Sequence, residues 1–143
     1  MLVALWGFSF GCGRSADSMP GFDCSVDAIA LRLAGPTALQ CGTFNIGAMR
    51  DQRLSDGVDC ALSSQAGNRP FSMKIVVMGV DTGTGYFFVR DQSGNSTQLS
   101  QGYSNLLSFG VLSRPCAGFA RDGQPLSIGC VPSGNESQLC PEH

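Results

Sequence analysis

Seven cysteines, at positions 12, 24, 41, 60, 116, 130 and 140, and a single histidine, His143 at the last position, bound the chemistry open to this chain. A serine or cysteine nucleophile is ordinarily activated by an internal imidazole. A terminal His is a poor candidate for that role, because chain ends are usually loose. Zinc sites built on histidine are excluded by the same count, and no Cys-x-x-Cys pair offers thiolates instead. The cysteines therefore read as structure rather than catalysis. Set Cys12 aside and six remain, widely and irregularly spaced, which points to three disulfides and an oxidising compartment. The competing reading is reduced, buried cysteines acting as small hydrophobes. Spacing alone leaves many connectivities open. Cys41–Cys60 and Cys116–Cys130 are the expected pairs, with Cys24–Cys140 left by elimination.

One other stretch has catalytic overtones. Val80-Asp81-Thr82-Gly83-Thr84 follows an apolar run and resembles the active-site loop of aspartic proteases, where two such carboxyls share a proton and activate water. With one copy per chain, Asp81 would need a second copy of the protein opposite it. The departures are Gly79 within the preceding apolar run, Gly85 where a polar residue is usual, and only a loose echo of the later apolar segment in Leu107-Ser108-Phe109-Gly110. A Gly-rich hairpin turn explains the same residues. The Gly-Thr-Gly cluster is no phosphate loop, since neither a Lys nor a helix follows it. Asn95-Ser96-Thr97 and Asn135-Glu136-Ser137 match the glycosylation pattern, which is short enough to occur by chance.

Composition narrows the partners. Hydrophobic residues make up 43% and charged ones 14%, against about a quarter charged in ordinary domains. Net charge is -2, from one Lys, eight Arg and eleven acids. No basic stripe is present, so phosphate-neutralising contact with nucleic acid is not expected. Nor does an acidic run suggest a polycation partner, and nothing calls for a cofactor.

Two regions must carry these residues. Residues 1–22 read as a signal-like apolar segment, MLVALWGFSFG, followed by a polar tether containing Pro20 and Gly21. The apolar run is too short to span a bilayer as a helix and lacks the basic start of a secretory signal. Gly11-Cys12 has the layout of a bacterial lipoprotein site, with Cys12 as the lipidated residue, although Ser9 and Phe10 depart from the usual preceding residues. A buried strand ending in a structural cysteine is the plainer alternative.

Residues 23–143 read as a single disulfide-stapled domain of 120 or so residues, long enough to bury a core. Ile29, Leu31 and Leu33 alternate within Val26–Leu33, favouring a strand, with a short helix capped by Ser25 as the competing reading. Cys41 to Ile46 is a short extended piece. Leu54, Val58, Ala61 and Leu62 share one helix face between Asp51 and Ala66, with Asp51 or Ser55 as cap and Gly67-Asn68 as stop. Gly57 should weaken that helix by about 1 kcal/mol relative to Ala. Cys60 lies on its flank, within reach of the segment carrying Cys41. Phe71 to Val80 is the longest strand expected, with Phe71, Met73, Ile75 and Val77 facing the helix. A turn over residues 81–85 leads to a return strand from Tyr86 to Arg90. Phe87 is assigned to the core, and Tyr86 or Phe88 to partial exposure. Weaker strands are expected over Thr97–Gln101, Leu106–Ser113 and Leu126–Val131.

Several of these features recur together: Cys41-Gly42, a helix with Cys60-Ala61, the strand entry Asn68-Arg69-Pro70-Phe71, the turn Gly79-Val80-Asp81-Thr82 and the late Cys116. The stretch 41–116 resembles a group of small cysteine-containing lipoproteins and secreted proteins of Gram-negative bacteria. No activity transfers from that resemblance. It implies export and structural cysteines, and gives Asp81 a turn role.

The expected fold is α+β, one amphipathic helix on an antiparallel sheet of four or five strands, similar in architecture to cystatin-like rolls. The expected protein is extracytoplasmic and non-enzymatic, held in the cell envelope through Cys12 or free in the periplasm or medium, with a binding or structural role. A dimeric aspartic-type hydrolase using Asp81 is the alternative.

Overall fold

The computed structural model describes residues 24–47, 51–104, 108–123 and 126–140. The signal-like segment and tether, Cys12 and His143 lie outside them.

The first element is a helix, α1 (Val26–Ala34), where the alternation of Ile29, Leu31 and Leu33 pointed to a strand. Local capping decides it. The Ser25 hydroxyl accepts the Ala28 N–H at 3.2 Å, Asp27 sits in the positive first turn, and Gly35 closes the helix at φ +84. Val26, Ile29, Ala30 and Ala34 are the residues it buries, spaced i, i+3, i+4 and i+8. Leu31, one of the three that suggested alternation, is 60% exposed.

Next come β1 (Leu39–Ile46), α2 (Leu54–Ala66) and β2 (Phe71–Met78). The two strands are hydrogen-bonded in parallel, which corrects the all-antiparallel expectation. A parallel neighbour needs a long crossover, and α2 with its flanking loops supplies it. The extended piece at Cys41–Ile46 is thus a full strand of the sheet. Antiparallel strands then follow in sequence: β3 (Thr82–Arg90), β4 (Ser96–Ser104), β5 (Ser108–Arg121) and β6 (Ile128–Pro132). A two-residue strand, β7 (Ser137–Gln138), pairs with β5. The α+β class holds, but the described residues form seven strands and two helices in place of four or five strands and one helix. A roll around a single helix is therefore not the architecture.

Adjacent residues of β3 show how the layers are arranged. Phe88 belongs to the core beneath α2, with Leu54, Val58, Ala61, Phe71, Met73 and Ile75. Phe87 and Val89 belong to the core beneath α1, with Ile29, Ala30, Leu99 and Val111. Neighbours on a strand point to opposite faces, so the helices cover opposite faces of one sheet. Phe88 is fully buried rather than partly exposed. The far half of β5 and β6 joins the α2 side: Phe119 packs edge-on against Phe71 at 5.9 Å and Phe88 at 5.5 Å.

Three disulfides link these layers. Cys24–Cys140 ties the start of α1 to the end of the described chain, Cys41–Cys60 ties β1 to α2, and Cys116–Cys130 ties β5 to β6. Their Cα separations are 5.8, 5.5 and 5.5 Å, within the range a bridge requires. These are the pairs expected from the sequence.

Candidate functional site

At the start of α2, Asp51 joins three pieces of backbone and side chain. Its carboxylate accepts the Arg53 N–H at 3.0 Å and two bonds from the Arg53 guanidinium, at 3.2 and 3.0 Å. The backbone N–H of Asn45, near the end of β1, also donates to it. The Arg53 hydrogen bonds hold the Asp51 carboxyl below the usual carboxylate range, and the same pairing raises the Arg53 guanidinium. Asp51 thus precedes the helix and fixes its entry. Arg53 occupies the cap position without a side-chain cap bond, where Asp51 or Ser55 was expected.

The β5–β6 hairpin lies along α2 and closes the other side. Gln65 fixes it: the side-chain amide donates to Phe119 O at 2.9 Å and its carbonyl accepts Phe119 N–H at 2.8 Å. Nearer the helix start, Arg121 pairs with Asp59. Between the hairpin and the helix start is an open groove of about 420 Å³, lined by Asp51, Gln52, Ser55, Arg121 and Ser127. Ser127 stands at φ +65, a conformation costly for a residue other than Gly.

This groove can hold a polar molecule through the Gln52 amide, the Ser55 hydroxyl and the Arg121 guanidinium. It is poorly equipped to move a proton. Asp51 is held ionised at neutral pH and is already occupied as an acceptor, and Arg121 already faces Asp59. Among the described residues lining it there is no His, Cys or Lys to serve as a base.

A smaller recess of about 130 Å³ lies between α1, β1 and β2, lined in part by Leu31, Gln40, Thr43, Ser72 and Lys74. Lys74, Ser72 and Gln40 in it are already paired. Lys74 meets Asp27 at 2.8 Å and lies 5.0 Å from the Phe87 ring centre, and Ser72 donates to Gln40 at 2.8 Å.

Asp81 is in neither recess. Gly79 N–H bonds to Thr82 O at 2.7 Å, leaving Val80 and Asp81 as a two-residue turn between β2 and β3, both exposed. The turn comes earlier than the 81–85 stretch expected, so Thr82 and Gly83 already belong to β3. Among the described residues, no group of three or more His, Cys, Asp or Glu side chains could hold a metal ion.

Sequence reading missed Gln65, Arg121 and Ser127. Gln65 and Phe119 are 54 residues apart, and no local pattern marks a side chain that will bond across the fold. The one available signal was Arg121-Asp122-Gly123, read only as a loop between two cysteines.

Comparison of the chain with protein-family models, with curated proteins and with solved structures finds no match in any of the three.

Proposed function

We propose that this is an exported, envelope-associated protein that acts by binding or by holding other components in place, not by catalysis. The observation that carries the reading is the set of three disulfides, spread over both helices and both ends of the domain. Such bridges are typical of extracytoplasmic proteins. Among the described residues no helix is long and apolar enough to cross a membrane. In this reading Cys12 carries the lipid that attaches the protein to a membrane, and the polar groove at the start of α2 holds its ligand. The paired state of Asp51 and Arg121 supports binding over turnover.

The intact mass of the mature protein from an expressing cell tests export and anchoring together. Expected is a chain that starts at Cys12, carries lipid, and is lighter by two hydrogens for each bridge. A chain that keeps its apolar start and six free thiols would overturn the proposal. Asp81 is assigned a turn role. Cleavage of unfolded casein at acidic pH, abolished by Asp81→Ala, would instead favour the dimeric aspartic-type hydrolase.

A further inference from the structure

The groove at the start of α2 is best characterised by what its side chains still have to offer. Asp51 has nothing left. A carboxylate has about four acceptor positions, and Asp51 receives the Arg53 N–H, two bonds from the Arg53 guanidinium and the Asn45 N–H. Arg121 gives one N–H to Asp59, which leaves most of its donors unused. Gln52 and Ser55 are exposed, and their side chains make no hydrogen bond to another described residue. What remains is rich in donors, with the Gln52 carbonyl and the Ser55 oxygen as the acceptors.

Charge narrows the ligand further. Asp51 is countered by Arg53 and Arg121 by Asp59. Asp56 and Asp122, next in the chain to Ser55 and Arg121, pair with no basic side chain among the described residues. The surplus beside the groove is therefore negative, which disfavours an anion at Arg121. A cation would meet donors there and a carboxylate whose acceptor positions are filled.

Nor is any side chain described in the lining apolar: it consists of Asp51, Gln52, Ser55, Arg121 and Ser127. Ligand pockets are ordinarily hydrophobic with a few polar groups, because most ligands have an apolar part to bury. A wholly polar lining suits a ligand that is polar on every side. The volume of about 420 Å³ is in the usual range for a small-molecule site.

We propose that this groove takes an uncharged saccharide. This rests on the binding reading above and adds the class of ligand. Ring, glycosidic and hydroxyl oxygens accept from Arg121, Gln52 and Ser55, and sugar hydroxyls donate to the Gln52 carbonyl. The planar guanidinium and amide each suit a pair of neighbouring hydroxyls. Being open, the groove admits a unit within a longer chain whose ends remain in solvent. Each of these bonds replaces one to water, so a single site binds weakly.

The test exposes the full chain to an array of immobilised glycans, neutral ones beside uronate- and sulfate-bearing ones. Their dense display offsets weak single-site affinity. Expected is retention on a subset of neutral glycans, equal at about 0.1 M and about 1 M salt. The Gln52→Ala, Ser55→Ala protein should lose that retention. Both changes are at exposed positions without partners, so the fold is not at stake. Ser93→Ala, at an exposed position in the β3–β4 loop, should keep it. A retained oligosaccharide, added in solution, should shift the Gln52 side-chain amide signals of the parent. Retention that survives the double change places binding elsewhere and overturns the proposal. Retention only on charged glycans, lost in high salt and in the double variant, overturns the uncharged class and leaves the groove as a binding site. No retention on any glycan overturns the saccharide. In that case a mixture of short peptides separates the two readings: shifted Gln52 amide signals leave the groove a binding site for another class, and unshifted ones remove the binding reading as well.

Discussion

Gly57 shows how a residue's environment can reverse its intrinsic preference. A glycine inside a helix costs about 1 kcal/mol relative to alanine, so the sequence marks Gly57→Ala as a stabilising change. In the folded protein the Phe44 ring fills the space beside it. A Cβ on Gly57 would stand 2.2 Å from Phe44 Cε2 and 3.2 Å from the Cys41 carbonyl oxygen. Phe44 is itself buried, and Cys41 is bridged to Cys60 on the same helix. Neither neighbour can move away freely. Overpacking of this kind costs about 1–3 kcal/mol, more than the helix propensity returns. Gly57→Ala is therefore expected to lower stability by up to about 2 kcal/mol. Urea unfolding checks it, and a midpoint at or above that of the parent would show that β1 and α2 are not so closely apposed.

At the scale of elements, the legible parts were those whose signal is local and repeated. Helix α2 declared itself through Leu54, Val58, Ala61 and Leu62, and β2 through Phe71, Met73 and Ile75. Helix α1 did not, because it is short and Leu31 is apolar yet exposed. Ser25, the residue that decides it, was visible but outweighed by the alternation. The parallel pairing of β1 could not be read, since nothing in LQCGTFNI specifies a partner after the helix that follows. Two bridges were legible because α2 and the late strands were placed well enough to bring the right cysteines together, and Cys24–Cys140 followed only by elimination. The groove was not, being made by Gln65 and Arg121 acting across the fold.

Asp51 links two of these elements, and its titration should be visible. Its folded-state carboxyl lies below the ordinary value of 3.8 because Arg53 donates to it. Asp91 is lowered too. Burial pushes its carboxyl up, but bonds from the Asn95 amide and from backbone N–H groups in the β3–β4 loop outweigh that. A carboxyl depressed in the folded state binds fewer protons there than in the unfolded chain. The stability it contributes is fully present above the unfolded value and is lost as pH falls through the folded one. Urea stability should thus show no contribution from these two groups' titration between about pH 7 and 5, and a falling one below about pH 4. Asp51→Asn should flatten part of that acid decline without steepening it at neutral pH. An unchanged acid slope would mean the Arg53 contacts do not persist in solution.

For the molecule as a whole, the question is what keeps α1 on the sheet. The helix has nine residues, too few to be stable alone. Its buried side chains, Val26, Ile29, Ala30 and Ala34, include two alanines, so its apolar contact is modest. Cys24–Cys140 adds a constraint of another kind. The two cysteines are 116 positions apart, and a loop on the order of a hundred residues stabilises by about 4.7 kcal/mol in the chain-entropy model. Cys116–Cys130 closes a loop of separation 14, worth about 3 kcal/mol on the same model. The bond also buries Cys140 among Phe87, Val89 and Val111, so it is part of the α1 core as well as a tie. Replacing both cysteines by serine should therefore cost more than the equivalent change at Cys116 and Cys130, and should loosen one face selectively. Amide exchange is the discriminating measurement. In the Cys24→Ser, Cys140→Ser protein, α1 should lose protection while α2, still bridged to β1 through Cys60 and Cys41, keeps it. Equal loss in both helices would mean that the two faces of the sheet unfold as one unit and that the bridge stabilises the whole domain without distinction.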